Sequence, residues 1–99
     1  MASYYLTNKA VEDLANIWNY TFDEWSERQA DNYYQTLIDR CEYIANNPDL
    51  GKSYDKVDSS LLGLKANKHI IFYRIIGDLE VEIIRILHER MDLRNRMKE

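Results

Sequence analysis

Between residues 69 and 92 the chain reads HIIFYRIIGDLEVEIIRILHERMD. Two apolar, β-branched runs, Ile70–Ile76 and Leu79–Leu87, are separated only by Gly77-Asp78. Two residues of that type between such runs predict a β-hairpin, and a hairpin this apolar constrains everything around it. On one strand Ile70, Phe72, Arg74 and Ile76 alternate with His69, Ile71, Tyr73 and Ile75; on the other Leu79, Val81, Ile83, Arg85 and Leu87 alternate with Glu80, Glu82, Ile84, Ile86 and His88. Neither strand offers a clean polar face, so both faces of the sheet need cover. The second run leads directly into His88-Glu89-Arg90-Met91-Asp92, which places charged groups at the mouth of a rigid sheet.

Upstream, Tyr4-Tyr5-Leu6 is a short strand candidate, followed by Thr7-Asn8, either of which caps a helix. Val11, Leu14, Ile17, Trp18, Phe22 and Trp25 then recur at spacings of three and four, an amphipathic helix with a wide apolar stripe. Ser26 with Gln29 restarts the pattern as a capping box. Ala30, Tyr33, Tyr34, Leu37, Ile38, Cys41, Ile44 and Ala45 form a second stripe that ends at Asn46-Asn47-Pro48. So short a connection predicts an α-helical hairpin. Residues 48–60, with little apolar content, read as a loop. Leu61–Lys68 reads as a third strand, with Gly63 marking a bulge or a close contact. The expected order is β-α-α-β-β-β: an α+β fold, a helical hairpin packed on a small, mostly antiparallel sheet, residues 1–99 making one domain. The helices cover one face of that sheet; for the other, a partner is the natural cover.

The net charge of −4 conceals an asymmetry. Residues 1–60 carry a balance of −6, residues 61–84 are neutral, and residues 85–99 carry +2. An acidic body is a poor non-specific nucleic-acid binder, because affinity for phosphates grows with the number of Lys and Arg contacts. It points to a protein partner, with no direct nucleic-acid contact expected. No apolar run reaches bilayer length and no signal peptide opens the chain, so a cytoplasmic protein with no membrane association is expected. The one cysteine, Cys41, falls among apolar helix positions and reads as a buried thiol. No His, Cys or carboxylate cluster has metal spacing, and no Gly-rich loop could cradle a nucleotide, so neither metal nor cofactor is expected.

The segments LTNKAVEDLANIWNY at 6–20, W…QADNYYQTL at 25–37, NP…G at 47–51, GLKANKHIIFYR at 63–74 and RILHERMD at 85–92 together resemble ParE toxins of the RelE/ParE superfamily of type II toxin–antitoxin modules. The resemblance spans nearly the whole chain in order. It implies a small bacterial toxin, not an enzyme, that inhibits DNA gyrase by binding it and is neutralised by a ParD-type antitoxin. RelE-like toxins of the same fold cut mRNA on the ribosome, so the fold leaves the activity open. A third reading is an inactive homologue that only binds antitoxin.

Each activity draws on different residues. In a ribonuclease, Arg74, Arg85 and His88 supply a phosphate clamp and an acid, with Glu80 or Glu82 as base. Against this, no Tyr or Trp follows Tyr73 to stack a base, and the two glutamates repel phosphate. In a gyrase inhibitor, Arg85, His88, Arg90, Met91 and Asp92 form a protein-contact surface. In the plainer alternative, Arg85 and Asp92 pair to lock the tail, Arg74 makes a structural ion pair, His88 bonds to backbone or Asp92, and His69 is a satisfied edge residue. Trp18, Phe22, Trp25, Tyr33 and Tyr34 sit at helical spacing and read first as core. An edge of the helical hairpin carrying Trp18, Phe22, Trp25 and Tyr34, together with Tyr73, is the candidate antitoxin surface.

Overall fold

The computed structural model describes residues 2–97. Strand β1 (Ser3–Leu6) leads into helices α1 (Asn8–Glu24) and α2 (Glu27–Asn46), followed by a 3-10 turn at Pro48–Leu50. Strands β2 (Lys52–Ser53), β3 (Leu62–Ala66), β4 (His69–Gly77) and β5 (Glu80–His88) follow, and a short helix, α3 (Leu93–Met97), closes the order. The sheet runs β1-β5-β4-β3-β2. Only β1 is parallel to its neighbour; the other pairs are antiparallel. The α+β reading holds, with a two-residue edge strand and a terminal helix added to it.

Local chemistry sets the helix boundaries. The Thr7 hydroxyl accepts from the Ala10 amide at 3.1 Å and donates to the Ile84 carbonyl at 2.8 Å. One side chain thus caps α1 and pins it to the sheet. Ser26 caps α2 by accepting from the Gln29 amide at 3.1 Å. Pro48, which disfavours helix at the residue before it, follows the end of α2.

Along β4 the alternation sorts into two cores; along β5 it breaks at the register shift opposite Phe72 and Tyr73, so Ile86 rather than Arg85 joins Val81 and Ile83 on the inner face. Facing the helices, Ile71, Tyr73, Val81, Ile83 and Ile86 pack with Leu14, Leu37, Cys41 and Ile44. On the outer face Ile70, Phe72 and Leu87 pack with Leu61, and Tyr54, Val57, Leu93 and Met97 lie over them. This corrects two expectations: residues 48–60 are not merely a loop, and the outer face is covered by the chain itself rather than left to a partner. Three apolar residues spaced among polar ones, with two more from α3, are enough to cover a small patch. Gly63 makes it fit. A Cβ there would sit 2.7 Å from the Tyr54 ring, which packs edge-on against Phe72 at 5.0 Å.

Two further expectations change. The hairpin turn is Asp78-Leu79 rather than Gly77-Asp78, because Gly77 pairs with Glu80 and the register slips between Ile75 and Gly77. Leu79 takes a left-handed φ of 50°, which is strained for a γ-branched residue. The aromatic stripe of the helices is also wider than the sheet it covers. Ala10 and Leu14 are buried, while Val11, Phe22 and Tyr34 are exposed and Trp25 is 70% exposed.

Candidate functional site

The exit of β5 gathers several polar side chains. His69 opens β4 directly opposite His88, and their rings meet edge-on at 5.3 Å. The Tyr33 hydroxyl, on α2, shares a 2.6 Å hydrogen bond with His69 Nδ1. His88 Nδ1 accepts from the Arg90 amide at 3.1 Å and so shapes the turn out of the strand. Burial, helped by the neighbouring His88, pushes the His69 pKa down to about 4, so its ring is neutral near pH 7. Glu89 pairs with Lys65 at 3.0 Å, and that hydrogen bond is the largest cause holding its carboxyl below the usual range. Arg90, Met91 and Asp92 are exposed. Asp92 accepts from the Asn95 side chain at 2.8 Å at the start of α3. His88 thus takes the plainer role read from sequence, a backbone bond, whereas His69 is hydrogen-bonded but opens the central strand of the sheet rather than lying on an edge.

Arg85 does not share that surface. It is only 7% exposed. Its Nε and Nη2 donate to Asp13 at 2.7 and 2.9 Å, and its Nη1 donates to the Arg96 carbonyl at 2.7 Å. The expected partner, Asp92, is occupied with α3. Asp13 is the residue that sequence reasoning missed. Strand β1 ends at Leu6 opposite Ile83, and beyond that point the edge of β5 is closed by Thr7 and then Asp13, whose Oδ2 also accepts the Ile86 amide at 3.0 Å. A signal was present: Asp13 lies one turn from Ala10 and Ile17, on the buried side of α1, where an unpaired carboxylate is not tolerated.

Tyr73 and Arg74 are likewise engaged within the fold. The Tyr73 ring is fully buried; its hydroxyl donates to the Pro48 carbonyl at 2.7 Å and accepts from the Gly51 amide at 2.9 Å. It therefore latches the 48–51 turn to β4 instead of facing a partner. A Cβ at Gly51 would collide with that hydroxyl. Arg74 pairs with Asp58 at 2.7 Å and donates to the Ser59 carbonyl at 3.2 Å, holding the outer cover in place. Cys41 is buried, and burial pushes its thiol up to about 12.

A second surface runs along the helical hairpin. Trp18 stacks on Phe22 at 5.3 Å, and its indole N–H donates to Asp31 of α2 at 3.0 Å. Trp25 caps the end of α1 in solvent. With Val11 these side chains line one stripe of α1, exposed except at the half-buried Trp18, near acidic residues such as Glu12, Asp23 and, on α2, Asp31. Among the described residues no group of three or more His, Cys, Asp or Glu side chains is placed to hold a metal, and no helix is long and apolar enough to cross a membrane.

Comparison with known proteins adds a family to this geometry. Residues 4–93 match the family described as ParE toxin of type II toxin–antitoxin system, parDE. Toxin ParE1 of Mycobacterium tuberculosis is 35% identical over 94 residues, covering 94% of this chain and 96% of the relative. Toxin ParE1 of Caulobacter vibrioides is 34% identical over 94 residues, covering 95% and 96%, and Toxin ParE of Escherichia coli is 30% identical over 97 residues, covering 98% and 94%. Among solved structures, a chain of the chromosomal ParDE TA system from P. aeruginosa superposes with a TM-score of 0.76 at 20% identity, over 89% of this chain and 96% of that one.

Proposed function

The chain belongs to the ParE toxin family of type II toxin–antitoxin systems, and from that premise we propose that it acts in the cytoplasm by binding DNA gyrase, without catalysis, and is neutralised by a ParD-type antitoxin. The observation that carries the non-catalytic reading is the engagement of the arginines. A ribonuclease built on Arg74, Arg85 and His88 needs guanidinium groups open to a phosphate. Arg85 is buried against Asp13 and Arg74 is paired with Asp58. Their guanidinium groups are already engaged by carboxylates and backbone carbonyls.

The target-contact surface is then the exit of β5: the His88 edge with Arg90, Met91 and Asp92. Arg and Met are residues that interface cores favour, and Met91 is 39% exposed there. The antitoxin-contact surface is the exposed stripe of the helical hairpin, Trp18, Phe22, Trp25 and Tyr34. Rigid aromatics supply large contact areas at low entropic cost. Arg85 and Tyr73 support these surfaces from within.

Supercoiling by purified gyrase, with and without this chain, tests the proposal beside mRNA cleavage on translating ribosomes. Inhibited supercoiling with intact mRNA is the expected result. Cleavage with normal supercoiling would overturn it.

A further inference from the structure

We propose that Arg85 is a conformational clasp: one guanidinium couples the seating of α1 on β5 to the docking of α3 on the opposite face, so that the two are a single linked equilibrium. The functional consequence, that a ligand on the helical hairpin biases the toxin's C-terminal segment, rests on the surfaces assigned above. The coupling itself does not.

Helix α3 has five residues, too few to persist unaided. It is fixed by Leu93 and Met97 on the Phe72 cluster, by Asp92 at its start, and by the bond from Arg85 to the Arg96 carbonyl. That carbonyl lies in the last turn, where helix carbonyls lack intrahelical acceptance and a cation complements the dipole. The other edge of the same guanidinium is held fork-on-fork by Asp13. A guanidinium is planar and rigid, so its donors cannot be re-aimed one at a time. A shift of Asp13 tilts the fork and carries Nη1 off the Arg96 carbonyl; departure of α3 removes that carbonyl's support of the fork. At 7% exposure water does not readily replace either partner. Linkage makes the effect reciprocal: whatever undocks α3 must loosen the first turns of α1 by the same free energy.

Hydrogen exchange on the full chain reads the coupling in both directions. Leu93→Ser with Met97→Ser undocks α3 without touching Asp13 or Arg85, and Arg94→Gly loosens it more gently by lowering helix propensity at an exposed position. In either variant the amides of residues 10–14 and of Ile86, whose N–H rests on Asp13, exchange tenfold or more faster, while Ile71, Phe72 and Tyr73 in β4 keep their protection. Asp13→Asn in turn frees the amides of 93–97. If α3 exchanges freely while residues 10–14 and Ile86 stay at wild-type rates, the clasp is refuted. Equal acceleration in β4 would refute it as well, since the two elements would then share only global stability. None of these readouts involves gyrase or antitoxin, so failure of the clasp and failure of the proposed function are separable.

Discussion

Asp13 clamps Arg85 and closes the free edge of β5 with the same carboxylate, Oδ2 taking both the Arg85 Nε at 2.7 Å and the Ile86 amide at 3.0 Å. Breaking such a buried pair by removing one member costs about 3–5 kcal/mol. Arg85→Ala and Asp13→Ala are each expected to lose that much in urea unfolding. The double variant Asp13→Leu, Arg85→Met should recover most of the loss but not all. It still strands the Ile86 amide, worth roughly 1–3 kcal/mol. Single variants costing under about 1 kcal/mol would mean that the edge opens to water and the pair is not a structural support.

The His69 ring predicts an acid-sensitive fold. Its neighbours are Tyr33 on α2, His88 on β5 and, further off, the carboxylates Asp13 and Glu89, which oppose the shift without reversing it. A base whose folded pKa is lowered from 6.5 to about 4 binds its proton less readily folded than unfolded. Stability is therefore full above pH 6.5, falls as the pH drops from 6.5 towards 4, and loses nothing more from this group below that. The ring is only half-buried, so solvent screening reduces the expected loss to about 1–2 kcal/mol. Melting temperature followed from pH 7 to pH 4 should sag, and His69→Gln should flatten that stretch of the curve. A sag of undiminished depth in His69→Gln would assign the sensitivity to other groups.

Tyr73→Phe keeps the ring in the core and deletes only the latch. The Pro48 carbonyl and the Gly51 amide then lose their shared partner, a cost of roughly 1–3 kcal/mol. Exchange at Gly51 should rise well before that of the central strands. Gly51→Ala should be at least as damaging, because its Cβ would occupy the position of the hydroxyl. Protection at Gly51 unchanged in Tyr73→Phe would show that the turn holds itself.

Where period and capping chemistry decide an element, the chain could be read directly: α2, with Ser26 at one end and Asn47-Pro48 at the other, and the two faces of β4. Contacts between distant segments were not legible in the same way. Tyr54, Val57 and Leu61 are too few, in a segment otherwise polar, to mark an element, and only the glycine at 63 hints that something packs there. The turn slipped by one residue because irregular pairing near Ile76 outweighed the local Gly-Asp preference. Arg85's partner is not legible because strand alternation does not reveal a helix folded over the sheet edge. Asp13, 72 residues away, supplies the partner that alternation cannot predict. The helical stripe gave the wrong burial for Trp25 and Phe22 because periodicity reports a face, not how far the sheet extends beneath it.

Trp25→Ser tests the helical surface. At 70% exposure the indole contributes little to the fold, and the change should stay within about 0.5 kcal/mol in unfolding. If the stripe is the antitoxin surface, affinity for the cognate antitoxin should fall at least tenfold, about 1.4 kcal/mol. Titration calorimetry with the purified pair decides it, and unaltered affinity would move the contact off α1.

The target surface calls for point changes rather than truncation. Deleting everything after Leu87 would strip Leu93 and Met97 from the Phe72 cluster and the Arg96 carbonyl from Arg85, so lost toxicity would report a damaged fold as readily as a lost interface. Arg90→Glu with Met91→Asp changes two exposed side chains while leaving both contacts, and should leave unfolding within about 0.5 kcal/mol of wild type. A central interface position is typically worth 2 kcal/mol or more. The concentration needed to inhibit gyrase should therefore rise by roughly thirtyfold or more, with antitoxin affinity unchanged. Inhibition surviving this pair of charge changes would exclude the exit of β5 as the gyrase contact and turn the search to the hairpin tip, where Ile75, Ile76 and Leu79 stand exposed around a strained turn.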